Sequence, residues 1–153
     1  MTVIKNLSTK IILVIGILIV SIPVFASGVG YIDYDKVVSE YQFAKVTAKE
    51  IETKANEIQE YLESKEKEFA ELESPIQRQK LEAAVKSEMR AKEDAFNDFK
   101  NKSEDAVYSR IHAVSEKIRL EKGLDAILDK RSVFSGGTDI TDELINKLNA
   151  VIR

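Results

Sequence analysis

The sequence holds few side chains that could carry out catalysis. It has no cysteine and a single histidine, His112, which excludes disulfides, thiolate zinc sites, a cysteine nucleophile and any site built from several histidines. No two of its 26 acidic residues stand out as a general acid and base, because they alternate with 23 basic residues as on solvated helices. The adjacent glycines Gly136 and Gly137 are not followed by the Lys-Ser/Thr of a phosphate-binding loop. We therefore predict that the protein is not an enzyme and uses no metal or cofactor.

The composition favours long helices over a large compact core. Of the 153 residues 32% are charged and 7% are aromatic, and the chain has two prolines and six glycines. The net charge of −3 does not provide the broad basic surface that a nucleic-acid-binding protein needs. We predict no nucleic-acid partner and a function that depends on binding.

Residues 1–26 have the layout of a secretory signal peptide. Two lysines form a positive start, an apolar run follows from Ile11 to Ile22, and small or modest side chains precede the predicted cleavage after Ala26. An uncleaved membrane anchor is the alternative, but the run is short against the ~20 apolar residues of a spanning helix. Cleavage removes two of the 23 basic residues and none of the 26 acidic ones, so the net charge falls to −5. We predict a protein outside the cytoplasm with no stable membrane span.

Residues 34–121 are predicted to form a helical hairpin, which we call the arm. Apolar residues recur at alternating intervals of four and three from Val37 to Leu72, with one lysine among them, as in a left-handed coiled coil. Ser74-Pro75 ends this helix and starts the next one, because proline cannot continue a helix but suits its first position. The second helix carries a less regular, 11-residue apolar repeat. We interpret it as part of an incompletely zipped arm, or alternatively as a helix whose neighbours change along its length.

Local signals predict how the arm helices begin and how they face each other. Asp33 is the predicted N-cap of the first helix, and Ser74 with Gln77 forms a predicted capping box at the start of the second. Residues 57–73 carry seven acids and residues 78–92 carry five bases, so antiparallel folding would place opposite charges side by side near the tip. The alternative is two solvated faces that never meet.

The remaining residues, 27–33 and 122–153, are predicted to form a small split body. Strands are predicted at Val29–Ile32, Leu124–Asp129 and Val133–Phe134, followed by a glycine loop and a terminal helix. Two pieces that total fewer than about 40 residues rarely hold a core without disulfides, metal or oligomerisation. We therefore predict an α+β fold, mostly α, in which other copies of the chain complete the body.

The predicted terminal helix and the predicted oligomerisation surface complete the body. Thr141 is the expected N-cap of the helix, because Asp142 and Glu143 after it suit a positive helix start. The oligomerisation surface consists of the apolar residues of the predicted strands, namely Val29, Tyr31, Ile32, Leu124, Ala126, Ile127, Leu128, Val133 and Phe134.

The order of these elements resembles the OmpH/Skp family of periplasmic chaperones. The resemblance covers essentially the whole predicted mature chain, through Gly30-Tyr31-Ile32-Asp33 entering a long helix, the Leu124–Asp129 strand and the segment Gly136–Asn149, its most specific part. It implies a homotrimer whose shared β body carries three arms around a cavity. It also implies ATP-independent holding of unfolded outer-membrane proteins in the periplasm. Many members are basic, whereas this chain is acidic, which leaves apolar contact as the main attraction.

Six residues are the predicted contacts for such clients, because they are apolar or aromatic and lie off the regular stripe or on the looser helix. Packing within the hairpin or against the body is the alternative for each of them. A structural coiled-coil spacer or adaptor of the envelope is the alternative function, and it predicts a regular apolar stripe in both helices. The six candidates are Phe43, Val46, Tyr61, Phe96, Phe99 and Tyr108.

Overall fold

A computed structural model describes residues 28–150, so the predicted signal peptide lies outside the described residues. The described part is mostly helical with one small sheet, which confirms the predicted α+β, mostly α, fold class. None of its helices is both long and apolar enough to cross a membrane. The elements are β1 (Gly28–Ile32), α1 (Tyr34–Glu40), α2 (Gln42–Glu71), α3 (Pro75–Lys122), β2 (Leu124–Asp129), a 3-10 turn (Lys130–Ser132), β3 (Thr138–Asp139) and α4 (Thr141–Ala150).

Helices α2 and α3 fold back on each other as an antiparallel hairpin. The 48 residues of α3 correspond to a length of ~70 Å at 1.5 Å per residue. The helix starts at Pro75, but the predicted capping box is wrong, because the Ser74 side chain makes no capping hydrogen bond. Arg78 instead contacts the end of the preceding helix: its Nε donates to the carbonyl oxygen of Leu72, the C-cap of α2, at 2.7 Å, and its guanidinium lies 5.5 Å from the centre of the Phe69 ring. The turn is thus closed by a side chain of the second helix.

The prediction of one unbroken first helix is wrong. The chain leaves helical geometry at Tyr41, where φ is −75° and ψ is 117°, and this residue separates α1 from α2. The side chain of Asn149 in α4 accepts a hydrogen bond from the Gln42 N–H at 2.9 Å and donates one to the Glu40 carbonyl at 3.2 Å. A side chain inserted into the backbone hydrogen-bond ladder is a recognised cause of a helix break.

The three strands form a parallel sheet in the order β2-β1-β3. The predicted strands at Val29–Ile32 and Leu124–Asp129 lie within β1 and β2, but the predicted third strand at Val133–Phe134 is wrong. Phe134 is instead wholly exposed in the loop before β3. The third position of the sheet is taken by β3, whose backbone pairs with Gly30 and Tyr31 of β1 after the chain turns.

The apolar core lies where the base of the arm meets the sheet and α4. Its buried side chains come from β1, α1, α2, α3, β2 and α4, and Ile118, Leu144 and Val37 have no exposed surface. Between Ala44 and Val107 no apolar residue is fully buried. The core therefore draws on the arm base as well as on the predicted body, and the distal arm has none of its own.

Hydrogen bonds tie β1, α1 and α4 together beside this core. Asp33 is the N-cap of α1, as predicted, since its side chain accepts from the Lys36 N–H at 3.1 Å. The predicted N-cap role of Thr141 is wrong, because α4 begins at this residue. Its hydroxyl donates to Asp139 at 2.6 Å and accepts from the Asp33 N–H at 3.0 Å. The Thr141 hydroxyl and then its N–H hold the pKa of Asp139 below its usual value.

The glycine loop before β3 gives a test of the sheet geometry. Gly136 and Gly137 have φ of 81° and 90°, and a Cβ on Gly137 would lie 3.0 Å from the Val29 carbonyl oxygen, whereas one on Gly136 would meet nothing within 4 Å. We expect Gly136→Ala to cost about 1–2 kcal/mol of unfolding free energy through its backbone alone. Gly137→Ala should cost more, up to about 3 kcal/mol. Urea unfolding of both variants measures this, and equal losses would contradict the close approach of the loop to β1.

Candidate functional site

The arm presents shallow apolar grooves along its length. Near its base, a groove of about 520 Å³ is lined by side chains from α1, α2 and α3, among them Val38, Ile51 and Val107. Glu104 and Asp105 border the same groove. Its lining is therefore apolar with one acidic edge.

A second groove lies between α2 and α3 near the tip of the arm. It has a volume of about 470 Å³ and an apolar floor, with two lysines and two glutamates at its rim. Sequence reasoning missed this groove because it assigned Leu62 and Phe69 to helix pairing. The available signal was the i, i+4 apolar pair on the facing helix, which places two side chains on one face. The floor consists of Leu62, Phe69, Leu81 and Val85.

Cations lying over aromatic rings join the two arm helices. Lys54 lies 4.9 Å from the centre of the Phe99 ring and Lys92 lies 4.6 Å from that of Tyr61. Arg110 covers Phe43 in the same way at 3.8 Å. Such contacts stabilise by ~0.5–1 kcal/mol at exposed sites. They fix the antiparallel register and also cover the faces of three aromatic residues.

The predicted pairing of acidic and basic segments near the tip does not occur through ion pairs. Within residues 28–150 no ion pair joins α2 to α3, and pairs along the arm such as Lys65–Glu68 and Lys100–Glu104 lie within one helix. The physical reason is geometric: Lys92 lies over the Tyr61 ring and Arg78 over the Phe69 ring, so these two bases of α3 contact aromatic residues of α2 and not its carboxylates.

A tyrosine–glutamate hydrogen bond also joins α2 to α3. The Tyr61 hydroxyl donates to Glu88 Oε2 at 2.5 Å. This hydrogen bond to the carboxylate favours the neutral phenol and raises the pKa of Tyr61 to about 12. The phenol therefore stays protonated, and able to donate this bond, across the whole neutral range.

The titration of Tyr61 tests this contact. We expect its phenol to ionise near pH 12 rather than near 10, measured as the difference between the ultraviolet titrations of the wild type and Tyr61→Phe. Because the folded-state pKa is the higher one, the stabilisation is complete below pH 10 and is lost as the pH rises through about 12. Glu88→Gln should return the pKa of Tyr61 towards 10. Lys67→Gln, which changes an exposed residue on the same helix as Tyr61, should leave this pKa unchanged. A wild-type pKa near 10 would show that the bond does not form in solution.

The structure separates the six predicted contact residues into two groups. Val46 and Tyr108 are 55% and 58% exposed, whereas the other four are partly buried. Val46 and Phe99 line one groove of about 370 Å³ in the middle of the arm, and Phe96 lines a neighbouring groove together with Phe99. The remaining two, Phe43 and Tyr61, contact cations of α3 as described above.

The nine predicted oligomerisation residues also fall into distinct groups. Ile32 and Leu124 are buried in the core of the single chain, whereas Val29 and Leu128 are 37% and 40% exposed and Phe134 is wholly exposed. The other four, Tyr31, Ala126, Ile127 and Val133, are partly buried.

A groove of about 310 Å³ runs beside β2, between the sheet and α3. Its apolar lining includes Ile111, Ile127 and Leu128. It is also lined by Ser115, whose hydroxyl is buried without a hydrogen-bond partner within the described residues. Unsatisfied buried polar groups are uncommon in native folds, so this groove is a candidate contact surface of the body.

The side chains of residues 28–150 offer no group of three or more His, Asp or Glu arranged to hold a metal ion. What they offer is a long helical hairpin, carried on a small parallel sheet and lined by several shallow apolar grooves. This arrangement defines a class of α+β proteins with a long helical hairpin arm.

The comparisons with known proteins place this fold in a family. The family described as outer membrane protein (OmpH-like) matches residues 28–148, so the chain belongs to the OmpH-like family, which confirms the resemblance found in the sequence. None of the curated proteins matches significantly. Among solved structures, the chain is similar to an OmpH-like outer membrane chaperone from Caulobacter crescentus CB15, with a TM-score of 0.57 and 14% identity, covering 82% of this chain and 85% of that one. At this identity the likeness shows the fold.

Proposed function

We propose that this protein is an ATP-independent holdase chaperone, which binds unfolded outer-membrane proteins in the periplasm and prevents their aggregation. Membership of the OmpH-like family supports a chaperone role and a periplasmic location. The observation that carries the proposal is the series of shallow apolar grooves along the arm. Several weak sites spread over a long surface suit an unfolded chain better than one small molecule.

The chemistry of the clients matches these grooves. Strands of an outer-membrane barrel alternate apolar and polar residues, and when unfolded they expose segments that pair with other chains. Each groove can take one or two apolar side chains, and contacts of low affinity add up when they are linked on one arm. The lysines at the groove rims have flexible stems, so they can move aside or cover a bound apolar residue.

We further propose that copies of the chain complete the body as a homotrimer, as the family resemblance implies. Three exposed apolar side chains of the body support this, because they leave apolar surface uncovered in a single chain. β2 lies at an edge of the sheet, and edge strands are natural sites of pairing between chains. In this proposal residues 1–26 are cleaved, residues 27–33 and 122–153 form the body, and residues 34–121 form the arm that encloses the client.

A dilution assay tests the holdase proposal. A urea-unfolded outer-membrane barrel protein is diluted into buffer with the purified protein, without nucleotide, and aggregation is followed by light scattering. We expect suppression at near-stoichiometric amounts, and a weaker effect from Leu81→Ser/Val85→Ser, which removes apolar side chains from the groove near the tip. The matched control, Gln79→Ser/Lys80→Ser, changes exposed residues of the same helix that do not line this groove. Precipitation at the client's usual rate would contradict the proposal and favour the spacer alternative.

A further inference from the structure

We infer that Asn149 is a latch that keeps α2 separate from α1 and closed on α3. When this latch opens, α1 and α2 join into one helix, and α2 moves away from α3 at the base of the arm. The inference goes beyond the proposed function and does not depend on it, because it concerns a conformational equilibrium of the chain itself.

The first argument is the hydrogen bonding at the break. Tyr41 keeps helical hydrogen bonds on both sides, since its N–H donates to Val37 at 2.9 Å and its carbonyl accepts from Lys45 at 3.1 Å. The Asn149 amide supplies an acceptor for the Gln42 N–H and a donor for the Glu40 carbonyl. In a continuous helix, backbone groups four positions away would supply both. The Gln42 N–H and the Glu40 carbonyl therefore have hydrogen-bond partners both in the broken helix and in a continuous one.

The second argument is that the local sequence favours a continuous helix. No proline or glycine lies between Tyr34 and Glu71, and the apolar spacing of the first helix continues through the break without a slip. The start of α2 has no side-chain cap from its own neighbouring residues. A helix that breaks without a proline, a glycine or a bulge usually has a side chain or water inserted into its hydrogen-bond ladder. In this chain the inserted group comes from α4, more than one hundred positions further along.

The third argument is that α4 is held partly by exposed contacts. Near the end of α4 that carries Asn149, Lys147 pairs with Glu121 on side chains that are 35% and 44% exposed, and in the first turn Lys36 pairs with Asp142 at 2.7 Å. Such pairs contribute little individually and weaken in salt. The apolar face of α4 remains in the core through Leu148. The end of α4 that carries Asn149 can therefore shift without unfolding the body.

The geometry of the arm determines what straightening does. α3 runs unbroken from the tip to the core, where Ile118 is fully buried. It therefore cannot follow a change of direction between α1 and α2. A continuous α1–α2 helix must carry α2 across or off α3, which separates Arg110 from Phe43 and opens the base groove.

Distances between spin labels on the two arm helices test the latch. The chain contains no cysteine, so Glu52→Cys and Lys102→Cys, both exposed positions, label α2 and α3 cleanly. Dilution with unlabelled protein restricts the measurement to distances within one chain. We expect one short distance in the otherwise unchanged protein and a second, longer population in Asn149→Ala. Asn146→Ala, an exposed change on the same helix, is the matched control and should keep the single short distance.

A proline variant distinguishes the latch from general loss of stability. Gln42→Pro suits the break, because residue 42 is the first of α2 and Tyr41 already has the extended ψ that precedes proline. The same proline forbids a continuous helix. Asn149→Ala combined with Gln42→Pro should therefore regain the single short distance. A short distance in Asn149→Ala, or a long population that survives Gln42→Pro, would overturn the inference.

If Asn149→Ala does not fold, as judged by the loss of a cooperative unfolding transition, a milder variant can replace it. Asn149→Asp keeps an acceptor for the Gln42 N–H and loses the donor to the Glu40 carbonyl. We expect it to show a smaller long population, which Gln42→Pro removes. Asn149→Asp with only the short distance would likewise overturn the inference.

Discussion

Leu144→Ala is expected to lower the free energy of unfolding by about 2–5 kcal/mol, the cost of emptying a fully buried leucine site. Leu144 has no exposed surface and lies in the cluster that joins α4 to α1, α3 and the sheet. Since domains of this size are stable by only about 5–15 kcal/mol, the loss would leave the body marginally folded. Urea unfolding followed by circular dichroism measures it.

The matched control is Leu120→Ala, the same chemical change at a position that is 64% exposed on α3. Its expected effect is within about 0.5 kcal/mol, as for surface substitutions in general. Losses of equal size in the two variants would contradict the placement of the core at the junction of arm and body.

Phe134→Ser is expected to dissociate the proposed homotrimer at micromolar concentration. Phe134 is wholly exposed in the single chain, and burying a phenylalanine contributes about 1.5–3 kcal/mol per copy. A closed trimer would lose this contribution three times, which corresponds to several orders of magnitude in its dissociation constant. Light-scattering mass against concentration is the measurement.

Ile76→Ser is the control for this experiment. Ile76 is 67% exposed at the start of α3, at the other end of the arm from the body. The substitution removes a comparable apolar side chain and should leave the mass unchanged. If Phe134→Ser keeps the wild-type mass while Ile76→Ser does not, the copies associate through the tips and the proposed body interface is wrong.

Apolar periodicity and turn residues correctly predicted the helices of the arm. The errors lie where contacts between distant parts of the chain determine the structure. Pro75 starts α3, and Gly123 ends it in a left-handed conformation, with φ of 64°. Both effects act within a few residues and can be seen in the sequence. The break at Tyr41 depends on Asn149, which lies 107 positions from Gln42, and no local pattern reports it. The position of the third strand was predicted wrongly for a similar reason. Thr138 pairs with Gly30 through its backbone, and backbone pairing leaves little trace in the pattern of side chains.

The candidate contact residues could be named from the sequence but not ranked. Apolar character identified Val46 and Phe99 equally well. Their exposure differs through contacts with the facing helix that the sequence does not reveal, since Lys54 of α2 lies over the Phe99 ring and Val46 remains 55% exposed. The size of the core was also underestimated from the sequence, because counting residues 27–33 and 122–153 omits Val37 and Ile118.

The pairing of β1 with β2 has a consequence for the order of folding. Gly28 pairs with Leu124, nearly one hundred positions away, so the sheet has a high contact order and a large loop-closure entropy opposes its early formation. Helices and their hairpin form from local contacts on a microsecond scale, and once formed they bring the two strands together. We therefore expect the helices of the arm to form before the sheet pairs, so that in the proposed homotrimer the arm helices would precede the contacts between copies.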